Sequence, residues 1–148
     1  MTISILAAIN NSISSRWVID FLCQMPLRPD DVNVKFVHIL REPKPGEDFL
    51  GEQFTHNLAE RFNEVLNQAR QTMIDQGFSP ERITTELITH NYPTVTSGII
   101  DVFHKGSYNM VVVGRKRMSK AEEFVLGDPS VKLVRELSGT AIVVVKSR

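Results

Sequence analysis

The chain has 148 residues, 42% of them hydrophobic, and its 17 basic and 17 acidic residues leave no net charge. This length predicts one domain spanning residues 1–148, with enough residues to bury a substantial core. The balanced charge gives no electrostatic reason to expect nucleic acid or an anionic membrane as a partner. Cys23 is the single cysteine, which excludes an internal disulfide framework and fits a small core residue in a reducing compartment.

The N-terminal apolar run, Ile3 to Ile9, predicts a buried strand. It is too short to span a membrane and lacks the basic flank of a signal peptide, so we expect a cytoplasmic protein. Ser12 or Ser14 is expected to cap a first helix, whose apolar residues recur at helical spacing from Trp17 onward.

The middle of the chain predicts strand, loop, helix and strand in succession. Val32 to Leu40 is rich in β-forming residues and is expected to form the second strand. Arg41 to Gly51 contains prolines and glycines and predicts a loop. From Glu52 to Gln76 an apolar stripe recurs every three or four residues, which indicates one long helix, and Gly77 is expected to end it. Arg82 to Ile88 is the expected third strand.

The last third of the chain repeats the alternation. Pro93 and Thr94 are expected to begin a helix that Gly106 ends, and Met110 to Val113 predicts a buried fourth strand that leads into a loop at Gly114.

A final helix and strand follow that loop. Asp128 and Pro129 suit the N-cap and first position of a helix, and Thr140 to Val145 predicts the fifth strand. Five apolar strands separated by four helices predict an α/β fold with one doubly wound, five-stranded parallel sheet and helices on both faces. With right-handed crossovers, the expected strand order is 3-2-1-4-5. Ligands then bind where the carboxyl ends of strands one and four diverge, between Asn10 and Gly114.

The segment after the fourth strand has a recognisable spacing of glycines. The sequence runs Val-Val-Val-Gly114-Arg-Lys-Arg117, then nine residues, then Gly127-Asp128-Pro129-Ser130. A glycine turn facing a helix N-terminus can cradle a phosphate with backbone N–H groups. This element resembles the G-x-x-G-x9-G-[ST] loop of the universal stress protein family.

The resemblance extends over all 148 residues. The first strand ends in Ile9-Asn10-Asn11-Ser12 where the family has an apolar run and Asp-Gly-Ser, and the second ends in Val37-His38-Ile39-Leu40. The fourth strand, Asn109 to Gly114, is similar to the family's Asp-Leu-Ile-Val-Met-Gly. The resemblance implies a regulatory or binding protein of the stress response that forms a dimer. In the ATP-binding members of the family, the glycine loop wraps the phosphates of the nucleotide.

The nucleotide site implied by the resemblance comprises residues from three strand ends and the glycine loop: Asn10, Ile39, Gly114, Arg117, Gly127, Asp128 and Ser130. Three of these residues depart from the family pattern, because Asn10 replaces an acid, Arg117 replaces the middle glycine and Asp128 replaces a Ser or Thr. Asn10 can still hydrogen-bond a ribose hydroxyl. A side chain at Arg117 costs about 1 kcal/mol or more if the backbone there needs a positive φ, although its cation can help to bind phosphate.

Asp128 is the most unfavourable of the three departures. Its carboxylate would lie at the helix N-terminus where phosphate should sit, and two anions in a partly desolvated cleft repel by roughly a few kcal/mol. We therefore expect ATP to bind weakly or not at all and no cofactor to be required. The alternative is a functional ATP-binding protein, with or without slow hydrolysis.

A dedicated enzyme is not expected. A member of the wider adenine nucleotide alpha hydrolase-like superfamily would need a Ser-Gly-Gly loop after the first strand, which Asn10-Asn11-Ser12 does not provide. No nucleophile has an identifiable base partner, and the four histidines lack metal-ligand spacing, so they are expected to be structural or exposed. The basic residues 115–117 with Lys120 suit a solvated loop better than an anion clamp. Ala141 to Val145 is apolar throughout and predicts the interface of a homodimer.

Overall fold

All five strands lie in one sheet in the order β3-β2-β1-β4-β5, and each pair of neighbours is parallel. A computed structural model describes residues 1–10, 12–40, 51–115, 120–121 and 129–146. The strands are β1 Ile3–Ala8, β2 Val32–Ile39, β3 Ile83–Ile88, β4 Met110–Arg115 and β5 Ala141–Lys146. The predicted architecture and strand order are confirmed.

Among the described residues, four helices with defined bounds cover the two faces of this sheet. They are α1 Ile13–Gln24, α2 Gly51–Asp75, α3 Val95–Lys105 and α4 Pro129–Glu136, and single 3-10 turns at Pro29–Asp31 and Pro80–Arg82 precede β2 and β3. Within the described part of the chain, no helix combines the length and the hydropathy that crossing a membrane requires. The loop predicted for residues 41–51 lies outside the described residues, apart from Gly51, which begins α2.

Each face of the sheet has its own apolar core. On one face the strands pack against α1 and α2, through residues that include Ile5, Val18, Val34, Phe36 and Met73. On the other face they pack against α3 and α4, through residues that include Leu6, Val37, Ile99, Val111 and Leu133. The alternation of side chains along each strand produces this division, because successive residues point to opposite faces.

The helix ends follow from specific residues. Beyond α2, Gly77 has a φ of 102° and the Phe78 N–H donates to the Met73 carbonyl at 3.1 Å, which is the hydrogen bond of a Schellman motif. At the start of α3, the Thr94 side chain accepts the Ser97 N–H at 3.0 Å. Gly106 ends α3 as predicted.

One predicted boundary affects the candidate site. The sequence predicted that the fourth strand ends at Val113 and that Gly114 lies in a loop. In the structure β4 continues to Arg115, with Gly114 paired with Val145 and Arg115 paired with Lys146. Gly114 is therefore a strand residue, and the loop that follows it begins later than predicted. The bounds of the other strands differ from the predictions by one residue, and of the two candidate caps for α1 the structure uses Ser12.

Candidate functional site

The carboxyl ends of β1 and β4 border a cavity of about 300 Å³. The chain continues from β1 to α1 on one face of the sheet and from β4 toward α4 on the other, so the two connections diverge. This divergence opens a crevice at the switch point of the topology. The crevice lies on the side of α3 and α4, whose first turns form its outer wall.

The floor of the crevice is apolar. Ile39, Ile99 and Leu133 are buried residues that line it. Gly98 allows α3 to lie close to the end of β2, since a Cβ at this position would lie 2.8 Å from Cγ2 of Ile39. The lack of a side chain at Gly98 therefore sets how closely α3 approaches the floor.

The rim of the crevice is polar. It carries Asn10, His38, Thr96, Arg115 and Ser130. Among the described lining residues there is one formal cation, Arg115, and no carboxylate. The described rim thus combines hydrogen-bonding side chains with one guanidinium group.

Asn10 links the end of β1 to the first turn of α1. Its side-chain Oδ1 accepts the Ser12 N–H at 2.9 Å and the Ser15 hydroxyl at 3.0 Å, and its own N–H donates to Ser15 Oγ at 2.6 Å. These bonds form an Asx turn that fixes the entry to the helix. The Oδ1 atom is thus already engaged, so of the side-chain polar atoms the nitrogen, a donor, remains for the ribose hydroxyl that the sequence predicted as a partner of Asn10.

Gly114 is required for the packing of α1 against β4. A Cβ at Gly114 would lie 2.7 Å from the backbone oxygen of Ser14, which cannot move without shifting the helix. The same residue lines the crevice. Its glycine character is therefore explained by the close approach of α1, whatever the crevice binds.

His38 is held in a fixed orientation at the end of β2. Its Nδ1 lies 2.8 Å from the Ile9 carbonyl oxygen, and its ring stacks on Phe62 of α2 with 3.7 Å between centroids and 12° between planes. A carbonyl can only accept, so Nδ1 carries the proton in the neutral ring. Burial lowers the pKa of His38, and the hydrogen bond to Ile9 acts in the opposite direction.

The structure brings together four of the seven predicted site residues: Asn10, Ile39, Gly114 and Ser130 all line the crevice. The other three, Arg117, Gly127 and Asp128, lie outside the described residues.

Part of the crevice wall was not predicted, because neither Thr96 nor Ile99 was placed at the site. His38 was expected to be structural or exposed, and its contacts with Ile9 and Phe62 confirm a structural role, but its position on the crevice was not predicted. For His38 a signal existed, since it precedes Ile39 at a carboxyl strand end. Within the described ranges, no three His, Cys, Asp or Glu side chains converge as a metal site would require.

The sequence matches no protein family model. No curated protein matches it either. In structure it is similar to a universal stress protein in complex with cAMP, with a TM-score of 0.68, 14% identity and 97% of this chain and 95% of that chain covered.

Two further solved structures have the same architecture. A universal stress protein family member from Burkholderia pseudomallei gives a TM-score of 0.70, with 16% identity over 97% of this chain and 96% of that chain. The universal stress protein from Archaeoglobus fulgidus in complex with dAMP gives 0.62, with 16% identity over 99% of this chain and 98% of that chain. The chain therefore has the universal stress protein fold, as its sequence resemblance implied.

Proposed function

We propose that the chain binds an adenine mononucleotide in the crevice and acts as a regulatory binding protein of the cytoplasmic stress response. The observation that carries this proposal is the crevice itself, which joins an apolar floor to a polar rim without a described carboxylate. Its position at the switch point is where α/β sheets of this kind bind ligands. Two proteins with the same fold were solved with cAMP and dAMP, which supports the adenine nucleotide class.

The walls suggest how such a ligand would lie. The base would rest on the apolar floor at Ile39 and Ile99, because a flat ring loses little by leaving water there. The phosphate would face Arg115 and the first turn of α4 at Ser130, where a cation and the helix dipole both favour an anion. Asn10 would offer its side-chain nitrogen to a ribose hydroxyl.

ATP remains the weaker ligand in this proposal. Asp128 and Arg117 are the residues expected to weaken ATP binding, and both lie outside the described residues. A carboxylate beside the β- and γ-phosphates would repel them, whereas a monophosphate brings less negative charge to the same place.

Calorimetry of the full chain with AMP, cAMP and ATP tests the proposal. A matched pair of variants at Val95, an exposed residue on the rim, locates the binding. Val95→Glu adds a carboxylate to the rim of the crevice and should weaken binding of the anionic AMP by about tenfold or more, whereas the neutral Val95→Gln should change it little. Failure of all three nucleotides to bind, or equal effects of the two variants, would contradict the proposal.

We also propose that the chain forms a homodimer through β5. This strand lies at the edge of the sheet, and its residues from Ile142 to Val145 are only half-buried. Val131 and Val134 of α4, which packs beside β5, are 46% and 63% exposed and extend the apolar surface. A second copy that pairs with or packs against this edge would cover it.

Light scattering at micromolar concentration tests the dimer. Val143→Lys adds a charge to the apolar strand and should yield monomers, whereas Val143→Thr, which keeps the size and the β-branch, should leave more dimer. Circular dichroism checks that both variants fold. A wild-type protein that is monomeric under these conditions would contradict the proposed dimer.

A further inference from the structure

A second cavity, of about 390 Å³, lies over β2 and β3 beside the C-terminal half of α3. None of its lining residues lines the crevice. Its volume falls within the range of about 300 to 1,000 Å³ that small-molecule sites occupy. It is therefore large enough to be considered as a separate binding site, which we call the α3 cavity.

The α3 cavity lies on a part of the sheet that is unusually polar for this face. Lys35 of β2 and Glu86 of β3 point to the same side as the buried Val37. Their charged groups form an ion pair, with 2.5 Å between Lys35 Nζ and Glu86 Oε2. A charged pair stands where a helix-covered sheet would ordinarily present apolar side chains.

A second ion pair borders the same cavity. Lys105 Nζ lies 2.9 Å from Oδ2 of Asp101, one turn earlier on α3. Asp101 chiefly, and the carboxylate of Glu86 to a smaller extent, raise the pKa of the Lys105 ammonium. Lys35, Glu86 and Lys105 line the α3 cavity, and Asp101, which is not a lining residue, pairs with Lys105, so the formal charges of the two ion pairs balance.

Two tyrosines complete the walls, and each is fixed by its surroundings. Tyr108 packs directly on the backbone of Gly106, where a Cβ would lie 2.6 Å from the ring. Tyr92 donates a hydrogen bond from its hydroxyl to Asp101. Tyr92, Asp101 and Lys105 are consequently joined in one hydrogen-bonded group.

We propose that the α3 cavity binds a small zwitterion with an apolar or aromatic side chain, the chemical class of free amino acids. A ligand with net charge is attracted by one member of each ion pair and repelled by the other, whereas a zwitterion complements both. A lysine ammonium has three N–H donors and a carboxylate accepts several hydrogen bonds, so each paired group can take a further partner. The tyrosine rings supply a surface for the ligand's side chain.

An NMR titration of the full chain with L-phenylalanine tests this proposal. Saturable shifts are expected at the backbone amides of Thr89, Tyr92, Gly106 and Tyr108. 3-Phenylpropionate lacks the ammonium group, 2-phenylethylamine lacks the carboxylate and glycine lacks the ring. The two singly charged compounds should each bind about tenfold more weakly or worse, since a hydrogen bond to a charged group contributes at least that much affinity. Glycine should also bind more weakly, because it has no ring to pack on the tyrosines. Equal binding of the zwitterion and the two singly charged compounds would overturn the proposal, as would shifts that do not saturate.

A pair of lysine variants localises the effect. Lys105→Gln removes the exposed ammonium that should meet the ligand carboxylate, and it should weaken L-phenylalanine binding by about tenfold. Lys132→Gln removes an exposed ammonium from α4 and should leave binding unchanged. Unchanged binding in Lys105→Gln, or shifts confined to the crevice residues, would refute the assignment.

Discussion

Toward α1 and α2, strand β2 begins with three buried residues, Val32, Val34 and Phe36, before the half-buried His38. Toward α3 and α4 it begins with Asn33 and Lys35, neither of them buried, before the buried Val37 and Ile39. The same strand therefore builds a continuous core on one face and an incomplete one on the other. The covering helices differ in the same sense, since α2 has 25 residues and α4 has eight.

This difference suggests how one sheet supports both stability and binding. The crevice and the α3 cavity both lie on the face of α3 and α4, where the helical cover leaves space beside the strands. Close packing on the opposite face holds the strands in place, so that residues at their ends can be arranged for a ligand. We expect substitutions on the two faces to have different consequences, and the following experiments test that expectation.

Two leucines of equal burial provide the most direct comparison. Leu22 packs on the α1 and α2 face, and Leu133, on the other face, lines the crevice. Leu22→Ala should lower the free energy of unfolding by about 4 kcal/mol, and Leu133→Ala by about 2 to 3 kcal/mol, because Leu133 already borders open space. Urea denaturation measures both values. Equal losses, or a larger loss for Leu133→Ala, would contradict the expected difference in packing between the two faces.

Two glycines test the close approaches of helices on opposite faces. Gly114→Ala forces a Cβ against the backbone of Ser14 and should cost about 2 kcal/mol of stability. Gly98→Ala places a Cβ 2.8 Å from Cγ2 of the buried Ile39, which must shift, but it also gains helix propensity of about 1 kcal/mol, so its net cost should be smaller than that of Gly114→Ala. Thermal and urea unfolding decide the matter, and a Gly114→Ala protein as stable as wild type would show that α1 can shift.

The fold was largely predictable because it depends on regular patterns. Local sequence patterns predict the apolar strands, the helix α2 with its apolar stripe, and the helix end at Gly77. These local predictions are consistent with one another and with a single overall fold. The site was harder, because it depends on contacts between distant segments. Nothing local to Gly114 indicates that Ser14 lies against it, whereas the partners of Asn10 Oδ1, Ser12 and Ser15, are only two and five residues away and form a local Asx turn. Gly114 was assigned to a loop for the same reason, since only its pairing with β5 makes it a strand residue.

The glycine loop beyond β4 offers a gain-of-function test on the binding face. Changing Asp128→Ser and Arg117→Gly together removes a carboxylate and a side chain from the expected phosphate site, and should raise ATP affinity by about tenfold or more. Calorimetry with ATP and AMP measures the change, with Asp128→Ser alone as the control that separates the loss of the carboxylate from the change at residue 117. If wild type binds ATP tightly and the double variant binds it less well, Arg117 clamps the phosphates and the expected repulsion from Asp128 is wrong.

The smallest expected effect concerns His38, where the two faces meet at the end of β2. Its ring stacks on Phe62 of α2 and it also borders the crevice. Burial lowers its pKa below the ordinary value, so the unfolded chain takes up a proton before the folded one does. Stability should therefore be constant above about pH 6.5 and fall as the pH decreases from there toward the folded pKa, by at most about 1.4 kcal/mol per pH unit for one proton.

A second series with His38→Phe isolates this contribution, because phenylalanine retains a ring for the stack on Phe62 but cannot titrate. The difference in unfolding free energy between wild type and His38→Phe should be flat above about pH 6.5 and shift against wild type below it. Parallel curves across this range would mean that the ring keeps its ordinary pKa. The packing of α2 would then not shield His38 from water, and the crevice rim at His38 would be open to solvent.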